Sequence, residues 1–246
     1  MGWSYNFWKG TFYPADLNAS KFLAYYSKQF DTVEVDSTFY RIPRTETLTE
    51  WKEQTPKDFI FSLKFPRIIT HIKMLKNCER ETEVFLEHAN LLQEKLGPLL
   101  LQFPPTFKQE QLLSLEDYLK NLPKNCRYAV EVRNKSLLTP KFFAILEDNK
   151  AAYAWIESPA MPLSEKKTSN FVYVRLEGDR KKVLGTTGKT EIDKSSTTQA
   201  WAGKLKKETD EGTEVFVYFS KYYSGNPISD ATEILNVIKN VEQQTL

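Results

Sequence analysis

Cysteine and histidine are scarce in this chain, with two of each among 246 residues. Cys78 and Cys126 have no Cys-x-x-Cys spacing. That excludes a disulfide-stapled scaffold or a cysteine-rich zinc module and fits two idle thiols in a reducing compartment. His71 and His88 alone cannot supply the histidine cluster of a zinc-dependent barrel endonuclease. The nine glycines form neither a Gly-rich phosphate loop nor a Gly-x-Gly-x-x-Gly fingerprint, so no cofactor is indicated by motif. No apolar run approaches the roughly 20 residues that span a bilayer. Met1-Gly2-Trp3-Ser4-Tyr5 lacks the basic-then-apolar order of a signal peptide, and Asn6 stands where a myristoylation signal needs Ser or Thr. The expected location is the cytoplasm, with no membrane partner. Charge of one sign is lacking too: 34 basic and 32 acidic residues leave a formal net charge of +2, too little for an extended nucleic-acid surface.

What is present is a regular alternation. Strand-like runs occur near Gly2–Tyr5, Thr32–Ser37, Phe59–Lys64, Leu99–Phe103, Tyr128–Arg133, Ala151–Ile156, Phe171–Glu177 and Glu214–Ser220. Helical periodicity separates most of them. Phe85, Ala89, Leu92 and Leu96 share one helix face, with Gly97-Pro98 as the expected stop. Leu112, Leu115, Leu119 and Leu122 repeat the pattern, as do Ile228, Ala231, Leu235 and Ile238. Phe22, Tyr26 and Phe30 form a shorter version behind Asn18 as a cap, and Thr139-Pro140 opens a helix with proline at its favoured first position. Glu157–Asn170 has little helical periodicity, and Ser195–Asp210 offers mainly Trp201 and Leu205 as apolar anchors. Alternation of this kind argues for a parallel sheet, and eight units in a chain near ~250 residues fit a closed (β/α)₈ barrel. No linker or internal repeat is visible, so a single domain over residues 1–246 is expected.

Five of the runs carry polar or charged residues at alternate positions: Val33-Glu34-Val35-Asp36, Phe61-Ser62-Leu63-Lys64, Leu101-Gln102-Phe103, Val130-Glu131-Val132-Arg133 and Val174-Arg175-Leu176-Glu177. Strands buried on both faces are normally almost wholly apolar. Charges recurring near strand ends, on one parity, imply a polar pocket at the C-terminal face of a barrel.

Several uncommon strings, in order, resemble the YecE-like family, known as domain of unknown function 72. They are Trp8-Lys9-Gly10-Thr11-Phe12-Tyr13-Pro14, Glu34-Val35-Asp36-Ser37-Thr38-Phe39-Tyr40-Arg41, Thr70-His71, Gln102-Phe103-Pro104-Pro105, Glu131-Val132-Arg133 and Tyr173-Val174-Arg175. The resemblance covers nearly the whole chain. It implies a TIM-type barrel with a shortened first strand and brings no activity with it. Asp36 stands where the family usually has Asn, Glu177 where His precedes Gly, Ser220 where Asn is common, and Leu137 where Trp is frequent.

The candidate site is Glu34, Asp36, Lys64, Gln102, Glu131, Arg133, Arg175 and Glu177, with Glu157 as a further member. Crowded carboxylates raise one another's pKa values while cations lower them, so one cluster can hold both an acid and a base. Glu131 is the expected catalytic acid/base, with His71 or Glu34 as counterpart. Lys64, Arg133 and Arg175 would hold an anion, and Gln102, Tyr40 and Arg41 would orient it. The bland alternative is a salt-bridged filling of the barrel, an inefficient use of buried charge. A divalent metal on Glu34, Asp36, Glu131 and Glu177 would be repelled by the three cations. Gly178 and Gly225-Asn226 follow the last two strands, where barrels often bind phosphate, although ordinary turn chemistry also explains them. Trp3, Tyr5, Trp8, Phe12, Tyr13, Phe39 and Tyr40 crowd the first two expected strand-to-helix loops, as a stacking wall for a sugar ring or base or as plugs of the barrel mouth, and Trp8, Phe12 and Phe39 are expected to be plugs. The basic clusters Arg180-Lys181-Lys182 and Lys204 with Lys206-Lys207 read as exposed cations.

Three functions remain open at this point. The first is an acid/base enzyme acting on a small phosphorylated or carboxylated molecule. The second is a non-catalytic module for a nucleotide or single-stranded nucleic acid. The third is a paired-carboxylate glycoside hydrolase.

Overall fold

A computed structural model describes residues 1–239. Its backbone forms seven parallel strands hydrogen-bonded in chain order, β1 (Thr32–Val35), β2 (Ile60–Lys64), β3 (Leu96–Gln102), β4 (Tyr128–Glu131), β5 (Ala152–Glu157), β6 (Phe171–Leu176) and β7 (Glu214–Phe219). Helices α1 (Phe22–Tyr26), α2 (Thr45–Gln54), α3 (Glu79–Ala89), α4 (Leu112–Asn121), α5 (Pro140–Asp148), α6 (Ser195–Asp210) and α7 (Pro227–Lys239) lie in sequence before β1, between strands and after β7. The class is α/β, of the TIM-barrel type. No helix among the described residues is long and apolar enough to cross a membrane.

The chain divides into two compact units. The first comprises Met1–Ser4, Asn18–Ala154 and Lys166–Ser169; the second comprises Tyr5–Leu17, Trp155–Glu165 and the chain from Asn170 onward. In the first unit the apolar parity of the strands faces helices. Phe61 stacks on Trp51 of α2 with centroids 5.7 Å apart, and Phe65 lies 4.7 Å from Phe85 of α3. Tyr153 meets Phe142 and Phe143 of α5. Thr139 accepts from the Phe142 amide ahead of Pro140, so the cap and first-turn proline work as expected.

Three expectations need correction. The described residues hold seven strands, not eight. Gly2–Tyr5 is no strand, because Gly2 has φ of +69°, outside the extended region, although its N–H still donates to Glu34 O at 2.8 Å. The chain then turns into a short 3₁₀ segment, Asn6–Trp8. Second, the helix through Phe85 stops at Ala89, and Gly97-Pro98 lies inside β3. Leu92 sits in a 3₁₀ stretch, Asn90–Lys95, kinked at Gln93 with φ of +54°. A side chain at Gly97 would meet Ile60 Cγ2 at 2.4 Å, and Pro98 has no N–H for the ladder. The β2–β3 register accordingly shifts between Phe61 and Leu63, and the Ser62 hydroxyl donates to Pro98 O at 2.6 Å. Third, Ser195–Asp210 is a full 16-residue helix. Its buried stripe is Thr198, Trp201, Ala202 and Leu205, two of them too small or polar to stand out in an apolar count.

Candidate functional site: the polar strand ends

Register fixes which side chains share a face. Glu34 lies opposite Ser62 across β1–β2, Lys64 opposite Leu100 across β2–β3, and Gln102 opposite Glu131 across β3–β4. Residues two apart on a strand point the same way. Glu34, Ser62, Lys64, Gln102 and Glu131 therefore occupy one face, opposite to the one carrying Phe61 and its helix contacts. All five are buried, Glu34 and Glu131 completely.

Glu131 is the centre of this group. Gln102 Nε2 donates to its Oε1 at 2.6 Å and Arg133 Nε donates to the same oxygen at 2.8 Å. Lys64 Nζ lies 3.6 Å from Asp36 Oδ1 and 4.5 Å above the ring of Phe39. Thr38, which sequence reasoning passed over, holds this corner. Its hydroxyl lies 2.9 Å from Val35 O and 2.8 Å from Lys64 O, and it accepts the Lys64 N–H at 3.0 Å.

His71 sits on a single π-helical turn, Ile68–Ile72, after β2; such turns recur at functional sites. Three non-glycine residues just beyond, Met74, Leu75 and Asn77, adopt positive φ of 45°, 69° and 48°. The His71 ring packs edge-on to Phe39 at 4.9 Å, and its Nδ1 is 2.9 Å from Thr70 Oγ1. Burial pushes the imidazole pKa down to about 4, with Lys64, Arg133 and Arg67 lowering it further and Glu131 opposing them. At neutral pH it is an uncharged base in a field where cations dominate.

In the second unit the carboxylates are clamped by cations and an indole. Arg175, 1% exposed, pairs with Glu177 Oε1 at 2.6 Å, and Arg180 approaches Glu177 Oε2 at 3.5 Å. Glu157, the expected extra member, accepts from Lys194 Nζ at 3.2 Å and from the Trp201 indole at 2.5 Å. Lys194 also lies over Tyr223, 5.1 Å from its ring centroid. Glu157, Gly178, Lys194 and Tyr223 line a cavity of about 400 Å³. Gly178 has φ of +67°, and a side chain there would meet Tyr222 O at 2.1 Å. The partners of Glu157 come from α6, whose weak periodicity hid them.

Tyr40 is 80% exposed and packs edge-on to Phe39 at 5.1 Å, and Arg41 is exposed as well. His88 binds its own helix, with Nδ1 2.8 Å from Val84 O. Trp8 is buried, as expected of a loop plug, and Tyr13 is buried with it. No group of three His, Cys, Asp or Glu side chains able to hold a metal occurs among the described residues.

The model of the family described as "protein of unknown function DUF72" matches residues 1–245. The chain belongs to this family. It is 37% identical over 125 residues to UPF0759 protein YecE of Escherichia coli strain K12, covering 51% of this chain and 44% of that protein. The alignment thus spans less than half of YecE. UPF0759 protein YunF of Bacillus subtilis is 26% identical over 257 residues, covering 92% of this chain and 89% of that protein. A DUF72 crystal structure from Thermotoga maritima superposes with a TM-score of 0.76 at 24% identity, covering 98% of this chain and 96% of that one. One from Enterococcus faecalis gives 0.69 at 25%, covering 91% and 94%. The Thermotoga likeness speaks for the fold alone.

Proposed function

We propose that the DUF72 chain is a cytoplasmic acid/base enzyme for a small phosphorylated or carboxylated molecule, with its reacting groups at the strand ends of the first unit. The supporting observation is the balance of charge around His71. Burial is the largest cause of its lowered pKa, and of the charges that act on it Lys64, Arg133 and Arg67 lower it further against Glu131, a balance that supports an anionic ligand. Glu131, held by Gln102 and Arg133, is the acid/base. Its counterpart is His71, neutral at pH 7 and able to accept a proton, or Glu34 on the same face. Lys64 and Arg133 hold the anion, and Asp36 restrains Lys64. Two free cysteines support a reducing compartment. The exposed ring of Tyr40 favours a second reading, nucleotide binding by stacking without turnover.

The test is a thermal-shift titration with phosphate, sugar phosphates and small dicarboxylates against magnesium, manganese and zinc. A ligand at 100 times its dissociation constant stabilises by roughly 2.7 kcal/mol. The proposal expects stabilisation by an anion, lost in Arg133→Gln and Lys64→Met. Stabilisation by a divalent ion alone, abolished in Glu131→Gln, overturns it.

A further inference from the structure

Helices α3 and α4 present facing rows of residues three and four apart. On α3 and the turn after it these are Glu79, Thr82, Glu83, Leu86, Glu87 and Asn90; on α4 they are Ser114, Asp117, Tyr118 and Asn121. Between the rows lies a cleft of about 560 Å³, closed at its ends by Leu75 and by Leu122-Pro123. It shares no residue with the strand-end cluster.

The cleft has a fixed floor and a charged rim of one sign. Thr82 Oγ1 and Tyr118 Oη are hydrogen-bonded at 2.7 Å across the two helices, with Leu75, Leu86 and Leu122 beside them. Glu79, Glu83, Glu87 and Asp117 form the rim, and no Lys, Arg or His lines the cleft. Glu83 pairs with Arg80 at 2.8 Å, both well exposed, a type of contact that contributes little. Glu79, Glu87 and Asp117 make no ion pair among the described residues. Three glutamates at a spacing of four form a rail that repeats about every 6 Å along a helix of about 16 Å.

We propose that this cleft docks an amphipathic helix of a partner protein, three to four turns long, with an apolar seam and Lys or Arg at a spacing of four on its flank. A helix laid into a groove between two helices meets the floor with residues at i, i+3, i+4 and i+7. Cations at i and i+4 repeat at the same ~6 Å interval as the glutamate rail. Charge complementarity supplies register and association rate, and the shallow apolar floor limits affinity to the micromolar range. A second copy of this chain is a poorer occupant. Of the lysines on its basic helix α6, Lys204 is paired with Glu165 and Lys206 with Asp210 at 2.5 Å.

The experiment is fluorescence anisotropy on the full chain with a labelled helical peptide of about fifteen residues. It carries a leucine seam and Lys at i, i+4 and i+8, and a scrambled peptide of the same composition is the control. The expected result is saturable one-to-one binding that weakens with salt and drops at least tenfold in the Glu87→Lys/Asp117→Lys variant. Both positions are exposed, and an unchanged melting temperature confirms that the variant is folded. Absent binding, equal binding of the scrambled peptide, or indifference to the double substitution overturns the proposal. Equal competition by spermidine would assign the cleft to organic cations instead. Self-association dissolved by the double substitution would assign it to a second copy; either outcome sinks the partner-helix reading.

Discussion

The two units treat their buried carboxylates differently. In the second unit Glu177 is paired with Arg175 and Arg180, and Glu157 with Lys194 and the Trp201 indole. In the first unit Glu131 receives Gln102 and Arg133, and its charge acts on the neutral imidazole of His71. Both histidines of the chain lie in the first unit. Carboxylates paired with cations fix structure, whereas a carboxylate acting on a neutral base is suited to proton transfer. On the proposed function the chemistry belongs to the first unit, and the larger stabilities are expected in the second.

The strongest test of the contrast is to remove an arginine from each unit. Arg175→Ala removes the buried cation paired with Glu177 and should cost about 3–5 kcal/mol in urea unfolding. The Arg133 side chain is 35% exposed, so Arg133→Ala should cost less than about 1.5 kcal/mol. Equal losses would erase the distinction.

Glycines sharpen it next. Gly178→Ala combines a left-handed backbone with a backbone oxygen 2.1 Å from the new atom, for an expected loss of about 3 kcal/mol. Gly97→Ala meets the branch methyl Cγ2 of Ile60 at 2.4 Å but no backbone atom closer than 3.1 Å, so a smaller loss of about 2 kcal/mol is expected. Paired denaturation curves would show the ordering.

Acid should act on the units with opposite sign. His71 is depressed from 6.5 to about 4, so between those values the unfolded chain takes up the proton and the native one does not. Stability linked to His71 is complete above 6.5 and declines as pH falls to about 4. Asp230, held by Ser224 at 2.5 Å, is raised by burial from 3.8 to about 6, with Glu233 raising it further and Lys194 opposing. The native state binds that proton first, so stability linked to Asp230 increases as pH falls from about 6 to 3.8. Unfolding midpoints across this window should show His71→Gln removing a loss and Asp230→Asn removing a gain. Either slope with the opposite sign would contradict the burial argument.

The smallest expected effect is Trp201→Phe, which removes one donor from Glu157 and should cost about 1 kcal/mol. A loss as large as that of Arg175→Ala would mean that Glu157 depends on the indole alone.

Much of this was legible in advance because a strand alternates its faces without regard to tertiary context. Glu34, Lys64, Gln102 and Glu131 could be placed on one face from parity alone, and the register agrees. Boundaries were legible wherever a turn residue matched its geometry, as at Thr139-Pro140. The rest depended on partners distant in sequence. Gly97-Pro98 resembles a helix stop until Ile60 is seen to require the glycine. The stripe of α6 uses Thr198 and Ala202, which carry little hydrophobic signal, so the donors to Glu157 stayed hidden. Tyr40 was chosen for its polar tip, but chain direction after β1 turns it to solvent. Lys95 looks like a surface lysine, yet it is 4% exposed and caps the end of α2 through Lys52 O and Thr55 O.

The central claim is that the first unit surrounds a neutral base with anion-seeking cations. Its most direct test is the pKa of His71, followed by NMR of the full chain with and without inorganic phosphate. A bound anion offsets Lys64, Arg133 and Arg67, so the account predicts a pKa of about 4 that rises by roughly one unit or more as phosphate saturates. In Arg133→Gln the free value should already be higher and the rise smaller. A His71 pKa near 6.5 in the free protein, or one that phosphate leaves unmoved while only second-unit signals respond, would contradict it.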